Sequence, residues 1–210
     1  MANATPFFSS APEKCQAQLD LIFLLDASTS VGKNNYAKEK DFIKIVASRY
    51  ELGTTSQAAV IVFSTYATNA VPLGSNNTAL EFASAVDNIP YYGGSTRIDL
   101  ALSVAYDEYF SSEGFNETQK LVILLTDGKP SRPHIKIEDT VDSLRSKAAR
   151  IYAVTIGSNI DKPVMRTITE KDDDIFEVTG FNDLVAKADS ISKTLCVNAR
   201  ELFLFSISCK

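Results

Sequence analysis

Two short apolar runs, each ending on an aspartate, set the tightest limit on what this chain can fold into: Leu19-Asp-Leu-Ile-Phe-Leu-Leu25 before Asp26, and Leu121-Val-Ile-Leu-Leu125 before Thr126-Asp127. A strand with one wet face alternates apolar and polar residues, so runs this uniform read as strands covered on both faces, the habit of a parallel sheet. Parallel neighbours need crossovers, and the intervening segments supply them. Phe42, Ile43, Val46 and Tyr50 recur at helical spacing within 34–50, with Lys and Glu between them read as the solvated side. Helices are likewise expected over 77–89, from Ile98 to Tyr109, over 138–150, 163–169 and 181–196, and further strands over 57–66, 68–73, 151–156 and 174–178. Pro72 cannot donate to a ladder, which puts its strand at an edge. The expected fold is α/β: a doubly wound, mostly parallel six-stranded sheet with one antiparallel edge strand and helices on both faces.

The chain has 210 residues, enough for one sizeable core. The expected division is an N-terminal extension at 1–14, one domain at 15–196 and a tail at 197–210 that lacks a clear period. A net charge of −5 with interspersed signs argues against a nucleic-acid partner. No apolar run reaches the roughly 18 residues that a membrane span needs. The first residues lack the basic start and apolar stretch of a signal peptide, leaving a cytosolic chain or the mature form of a secreted one.

Cys15 and Cys196 bracket the periodic region, a placement that suggests a disulfide staple made in an oxidising compartment; two buried free thiols are the alternative. Cys209 would then be left for an intermolecular bond or a partner cysteine elsewhere. Asn3, Asn76 and Asn116 open three glycosylation sequons in expected loops, weak support individually for secretion.

In an open doubly wound sheet, ligands gather beyond the carboxyl ends of strands where the strand order reverses, which is where Asp26 and Asp127 fall. Asp26-Ala-Ser28-Thr-Ser30 spaces a carboxylate and two hydroxyls two residues apart, so an extended loop turns all three oxygens to one side. Such a set suits a hard cation that keeps some of its waters. Taken singly, Asp26 and Asp127 also read as helix caps, Thr96 as an N-cap, a role compatible with metal binding, and the two serines as loop hydroxyls bonded to backbone.

Asp26-x-Ser28-x-Ser30 after one apolar strand, Gly-Gly-Ser-Thr96 before a helix and Thr-Asp127-Gly after another apolar strand together resemble the metal-ion-dependent adhesion site of von Willebrand factor A domains. The flanking cysteines and closing helix look most like the A domains of matrix proteins such as matrilins and collagen VI. The resemblance implies Mg²⁺, with Mn²⁺ or Ca²⁺ as substitutes, held directly by Ser28 and Ser30, directly or not by Thr96, and by Asp26 and Asp127 directly or through water. It also implies a secreted or extracellular protein without enzymatic activity. Its partner would be a matrix or cell-surface protein supplying a carboxylate to the metal. An alternative is a structural matrix domain whose contacts ignore the metal; a third is an intracellular A domain with reduced cysteines.

A Mg²⁺-dependent phosphatase would need a second acid where Ser28 stands, to protonate the leaving group. No phosphate-binding glycine loop is present, since Gly128-Lys129 is followed by proline. Lys129 and the only histidine, His134, read as surface loop residues. Tyr91 and Tyr92 read as either core packing or exposed anchors beside the Thr96 loop, and the acidic run Asp172-Asp-Asp174 as a solvated turn.

Overall fold

The computed structural model describes residues 14–111, 118–131 and 135–208, with side chains to Ala199. Asn3, Asn116, His134 and Cys209 lie outside the described residues. Both apolar runs are strands without an exposed position: β1 (Leu19–Asp26) is buried throughout, and β4 (Gln119–Thr126) from Lys120 onward. The remaining strands are β2 (Ser56–Phe63), β3 (Ala67–Val71), β5 (Arg150–Ile156) and β6 (Ile175–Val178). They form one six-stranded sheet in the order β3-β2-β1-β4-β5-β6. Every pairing is parallel except that of β3, the edge strand, which runs antiparallel to β2 and ends just before Pro72.

Alternate residues of β1 serve opposite faces. Leu21, Phe23 and Leu25 meet α1 (Lys33–Ala47), α2 (Ala79–Asp87) and α6 (Phe181–Ser208) through Phe42, Phe82 and Leu184. Ile22 and Leu24 meet α3 (Ile98–Tyr109), α4 (Ile137–Ser146) and α5 (Lys162–Thr169) through Leu102, Val141 and Met165. Two cores on one sheet account for the uniform apolar runs. The polar exceptions also have a reason. Asp20 and Lys120 are register partners on β1 and β4, and they form a buried ion pair of 3.0 Å.

Cys15 and Cys196 form the expected disulfide, with their Cα atoms 5.8 Å apart. The N-terminal segment is also tied to the end of α1: the Cys15 N–H donates to the Arg49 carbonyl at 2.7 Å. The expected end of the last helix needs correction. α6 passes Cys196 and continues to Ser208, and nothing in 181–208 is a glycine or proline that would stop it. The helix expected over 138–150 is shorter at its C-terminal end, where Ala148 adopts a positive φ of 58° and Arg150 opens β5.

Candidate metal site

The sheet order reverses between β1 and β4, whose carboxyl ends stand side by side and carry Asp26 and Asp127. The buried Asp26 carboxylate is held at both oxygens: Oδ1 accepts from the Ser28 N–H at 2.9 Å and Oδ2 from the Thr126 hydroxyl at 2.7 Å. Thr126 therefore fixes the orientation of Asp26 from the neighbouring strand. Ser28 Oγ and Ser30 Oγ lie 3.0 Å apart, and the Ser30 hydroxyl donates to Asp127 Oδ1 at 2.7 Å. A Cβ added to Gly128 would stand 3.6 Å from Ser30 Oγ and 3.8 Å from Thr96 Oγ1. The five oxygen-bearing residues singled out in the sequence thus converge, with Gly128 beside the Ser30 and Thr96 hydroxyls.

The capping alternatives fail on geometry. α1 has Gly32 as its N-cap, α3 has Arg97 and α4 has Lys136, and none of the three uses a side-chain cap hydrogen bond. Asp26, Asp127 and Thr96 are thus free of that role. The loop carrying Thr96 is clamped on both sides. Thr29 and Gly94 exchange bonds, Thr29 N–H to the Gly94 carbonyl at 2.9 Å and Gly94 N–H to Thr29 Oγ1 at 2.8 Å. Thr96 N–H donates to Ser131 Oγ at 3.0 Å, and Ser131 N–H returns to the Thr96 carbonyl at 2.9 Å. Gly94 is required twice over: its φ is +105°, and a Cβ there would stand 2.4 Å from Thr65 Oγ1. Tyr91 turns inward and donates to the Ser28 carbonyl at 3.0 Å, whereas Tyr92 is 59 % exposed beside the same loop.

Burial dominates the electrostatics. It pushes the Asp26 carboxyl up to about 6 against the hydrogen bonds from Ser28 and Thr126, with the Asp127 charge adding to the rise. Burial also raises Asp127, against the bond from Ser30. The donor set fits a hard divalent cation, because it consists only of hydroxyl and carboxylate oxygens and its two carboxylates are uncompensated without one. Among the described residues no three His, Cys, Asp or Glu side chains form a group that could hold a metal, so a cation at this place would need the hydroxyls among its ligands.

A pH dependence follows for the metal-free protein. Asp26 holds its proton more tightly in the fold than in the unfolded chain, so the stability it contributes is complete below about pH 4 and is lost as pH rises through about 6. Relative to wild type in chelator, Asp26→Asn should therefore gain nothing below about pH 4, gain progressively up to roughly 3 kcal/mol as pH rises to about 6, and keep that full advantage at higher pH. Urea unfolding of both proteins across the range measures this. A difference that stays flat with pH would contradict it.

Sequence reasoning missed Thr126 at this site and misplaced an acid on α1. Glu39 falls between Tyr36 and Phe42 on the inward stripe of α1, not on its wet side, and it is fully buried. The signal was its position three residues from each of two buried aromatics. The acidic run is also only partly solvated: Asp172 pairs with Arg166 at the surface, while the buried Asp174 takes Arg150 at 2.8 Å.

The family model of the von Willebrand factor type A domain matches residues 20–189. The chain belongs to that family. Among curated relatives, this A domain is 31 % identical to the human collagen alpha-1(XXI) chain over 156 residues, covering 74 % of this chain and 16 % of the collagen. It is 29 % identical to the mouse collagen alpha-6(VI) chain over 191 residues, or 89 % of this chain and 8 % of that one. The A domain thus spans a small part of the length of these relatives. Among solved structures, mussel byssus proximal thread matrix protein 1 with a zinc-occupied MIDAS motif superposes with a TM-score of 0.78 at 30 % identity, covering 87 % of this chain and 47 % of that one. The expected family and fold are therefore confirmed.

Proposed function

We propose that this A domain is a secreted adhesion module that holds a divalent cation at Asp26, Ser28, Ser30, Thr96 and Asp127 and binds a partner protein through it. The observation that carries the reading is the hydrogen-bonded chain from Ser28 through Ser30 to Asp127, which meets Thr96 around Gly128 at the switch point of the sheet. A cation bound there supplies an open position for an anionic oxygen, which a partner's aspartate or glutamate would fill. Ser28 and Ser30 hold the metal through their hydroxyls, while Thr126 keeps Asp26 turned toward them. Clamping by Thr29 and Ser131 sets the height of Thr96. Oxygen-only ligation favours Mg²⁺, with Mn²⁺ or Ca²⁺ as substitutes, and the zinc in the mussel protein's motif supports a divalent site.

The collagen relatives and the disulfide support an extracellular setting with matrix or cell-surface partners. The reading assigns the domain binding and no catalysis. In it Asn3, Asn76 and Asn116 carry glycans and Cys209 is available for an intermolecular bond. Asn76 precedes α2 in a polar turn that leaves it partly exposed, as a glycan acceptor requires.

Titration of Mg²⁺ and Mn²⁺ into chelator-treated protein should give saturable binding at one site. Capture of immobilised matrix proteins should then be lost in EDTA and restored by Mg²⁺. Metal binding without any effect of EDTA on capture would instead support a structural domain whose contacts ignore the metal.

A further inference from the structure

Five large apolar side chains stand exposed among the described residues, and three of them share one edge of the domain. Tyr66, 79 % exposed, sits in the turn from β2 to β3, Tyr92 in the link from α2 to α3, and Ile135 in the link from β4 to α4. Because β1, β2 and β4 are parallel, the first and third of these links leave the sheet at the same carboxyl edge. The other two side chains, Leu80 and Val197, lie on α2 and α6. One exposed apolar residue needs no explanation, but three gathered from separate links at one edge do.

Hydrogen bonds tie all three links to residues 94–99. The Arg97 N–H donates to the Ser64 carbonyl at 3.1 Å and the Ser95 N–H to Thr65 Oγ1 at 3.2 Å, while the turn itself is closed by the Ser64 N–H on the Tyr66 carbonyl at 2.8 Å. Tyr92 stands two residues before Gly94, which Thr29 holds from its place between Ser28 and Ser30. The Ile135 N–H donates to Asp99 Oδ2 at 3.4 Å, and the same carboxylate takes the Arg97 guanidinium at 2.7 and 2.8 Å. The side chains are therefore exposed while the backbone beneath them is fixed. Aromatic groups on a fixed backbone lose little freedom when a partner covers them, which makes them good anchors. The surroundings are also neutral: no Asp, Glu, Lys or Arg occurs in 64–80 or in 88–96, although 22 % of the chain is charged.

We infer that Tyr66, Tyr92 and Ile135 form an apolar docking rim beside the Ser28–Ser30 loop, and that it takes a protein segment presenting aliphatic or aromatic side chains around one aspartate or glutamate. The inference rests on the metal-dependent reading for the carboxylate and adds what the cradle leaves undetermined, the residues that flank it. The lack of charge around Tyr66 and Tyr92 selects those flanks, because a lysine or a second acid pressed against the rim would lose its water without gaining a countercharge. The two phenol hydroxyls remain able to bond to the partner's backbone at the edge of the contact.

The test uses the full chain in Mg²⁺ and short synthetic peptides with one central aspartate, flanked either by leucine and phenylalanine or by serine and glycine. Fluorescence anisotropy should show wild type binding the apolar-flanked peptide about ten-fold or more tightly than the polar-flanked one. Leu80→Ser, an exposed position away from the rim, should keep that preference, and the Tyr66→Ser, Tyr92→Ser double variant should lose it to within about two-fold. The double variant should melt within about 2 °C of wild type and bind Mg²⁺ equally well, because both replaced rings are exposed. Equal binding or no binding of the two peptides by wild type would overturn the rim, as would a preference that survives in the double variant. Concentration-dependent dimerisation in sedimentation that the double variant abolishes would also overturn it, assigning the surface to a second copy of this chain. A preference that persists unchanged in EDTA would keep the rim and sink the metal-dependent reading, whereas saturable Mg²⁺ binding without a peptide preference would sink the rim alone.

Discussion

Asp127→Ala should lower Mg²⁺ affinity by about 100-fold or more, to the point where calorimetry no longer shows saturable binding at millimolar metal. The substitution removes one of the two carboxylates at the cradle and leaves the Ser30 hydroxyl without the acceptor it now meets at 2.7 Å. Ser30 is then free to rotate, so one change disturbs two oxygens of the set. Stability in chelator should move little, or rise slightly, because burial already raises the Asp127 carboxyl and its charge bears unfavourably on Asp26 and Glu39. That contrast is the diagnostic: metal binding lost with the fold intact. Affinity within about three-fold of wild type would mean that the cation, if bound, sits elsewhere. A large loss of stability in chelator would mean that Asp127 serves the fold first.

Much of the fold was legible because burial on both faces leaves a direct trace in sequence. The runs ending at Asp26 and Asp127 admit few other readings, and Pro72 marks the edge at which the antiparallel β3 closes the sheet. The site was legible for a related reason. Residues at strand ends and in the first loop positions keep their spacing in three dimensions, so Asp26, Ser28 and Ser30 were already neighbours on paper. Other features depended on pairings that a linear pattern does not carry. Asp20 and Lys120 each interrupt an apolar run, and only the parallel register of β1 and β4 turns two interruptions into one ion pair. Glu39 was assigned to the wet side of α1 because charge normally marks that side, yet it is fully buried between Tyr36 and Phe42. Thr126 was read as the end of a strand, although its hydroxyl orients the Asp26 carboxylate from the next strand over.

The disulfide carries the other large expected effect. Replacing Cys15 and Cys196 together by alanine should lower stability by about 5 kcal/mol, since the bond closes a loop across a sequence separation of 181. For a domain of this size that corresponds to a fall in melting temperature of about 10–20 °C. The contacts around the bond do not substitute for it. The Arg49–Asp189 ion pair is partly exposed, and the Tyr50 hydroxyl reaches the Ser192 carbonyl of α6 only at 3.4 Å. Metal affinity should remain within about three-fold of wild type, because Cys15 precedes β1 while Asp26 ends it, eight strand residues or roughly 25 Å away. α6 starts after β6 and is pinned to the segment before β1 by Cys196, so the bond also opposes any sliding of that helix along the sheet. Thermal unfolding and Mg²⁺ titration of the double variant separate the two effects. An unchanged melting temperature would show that the packing of α1 against α6 holds the termini without the bond. A large loss of metal affinity would instead show that the position of α6 is coupled to the metal edge, and that the disulfide selects the state which binds the cation.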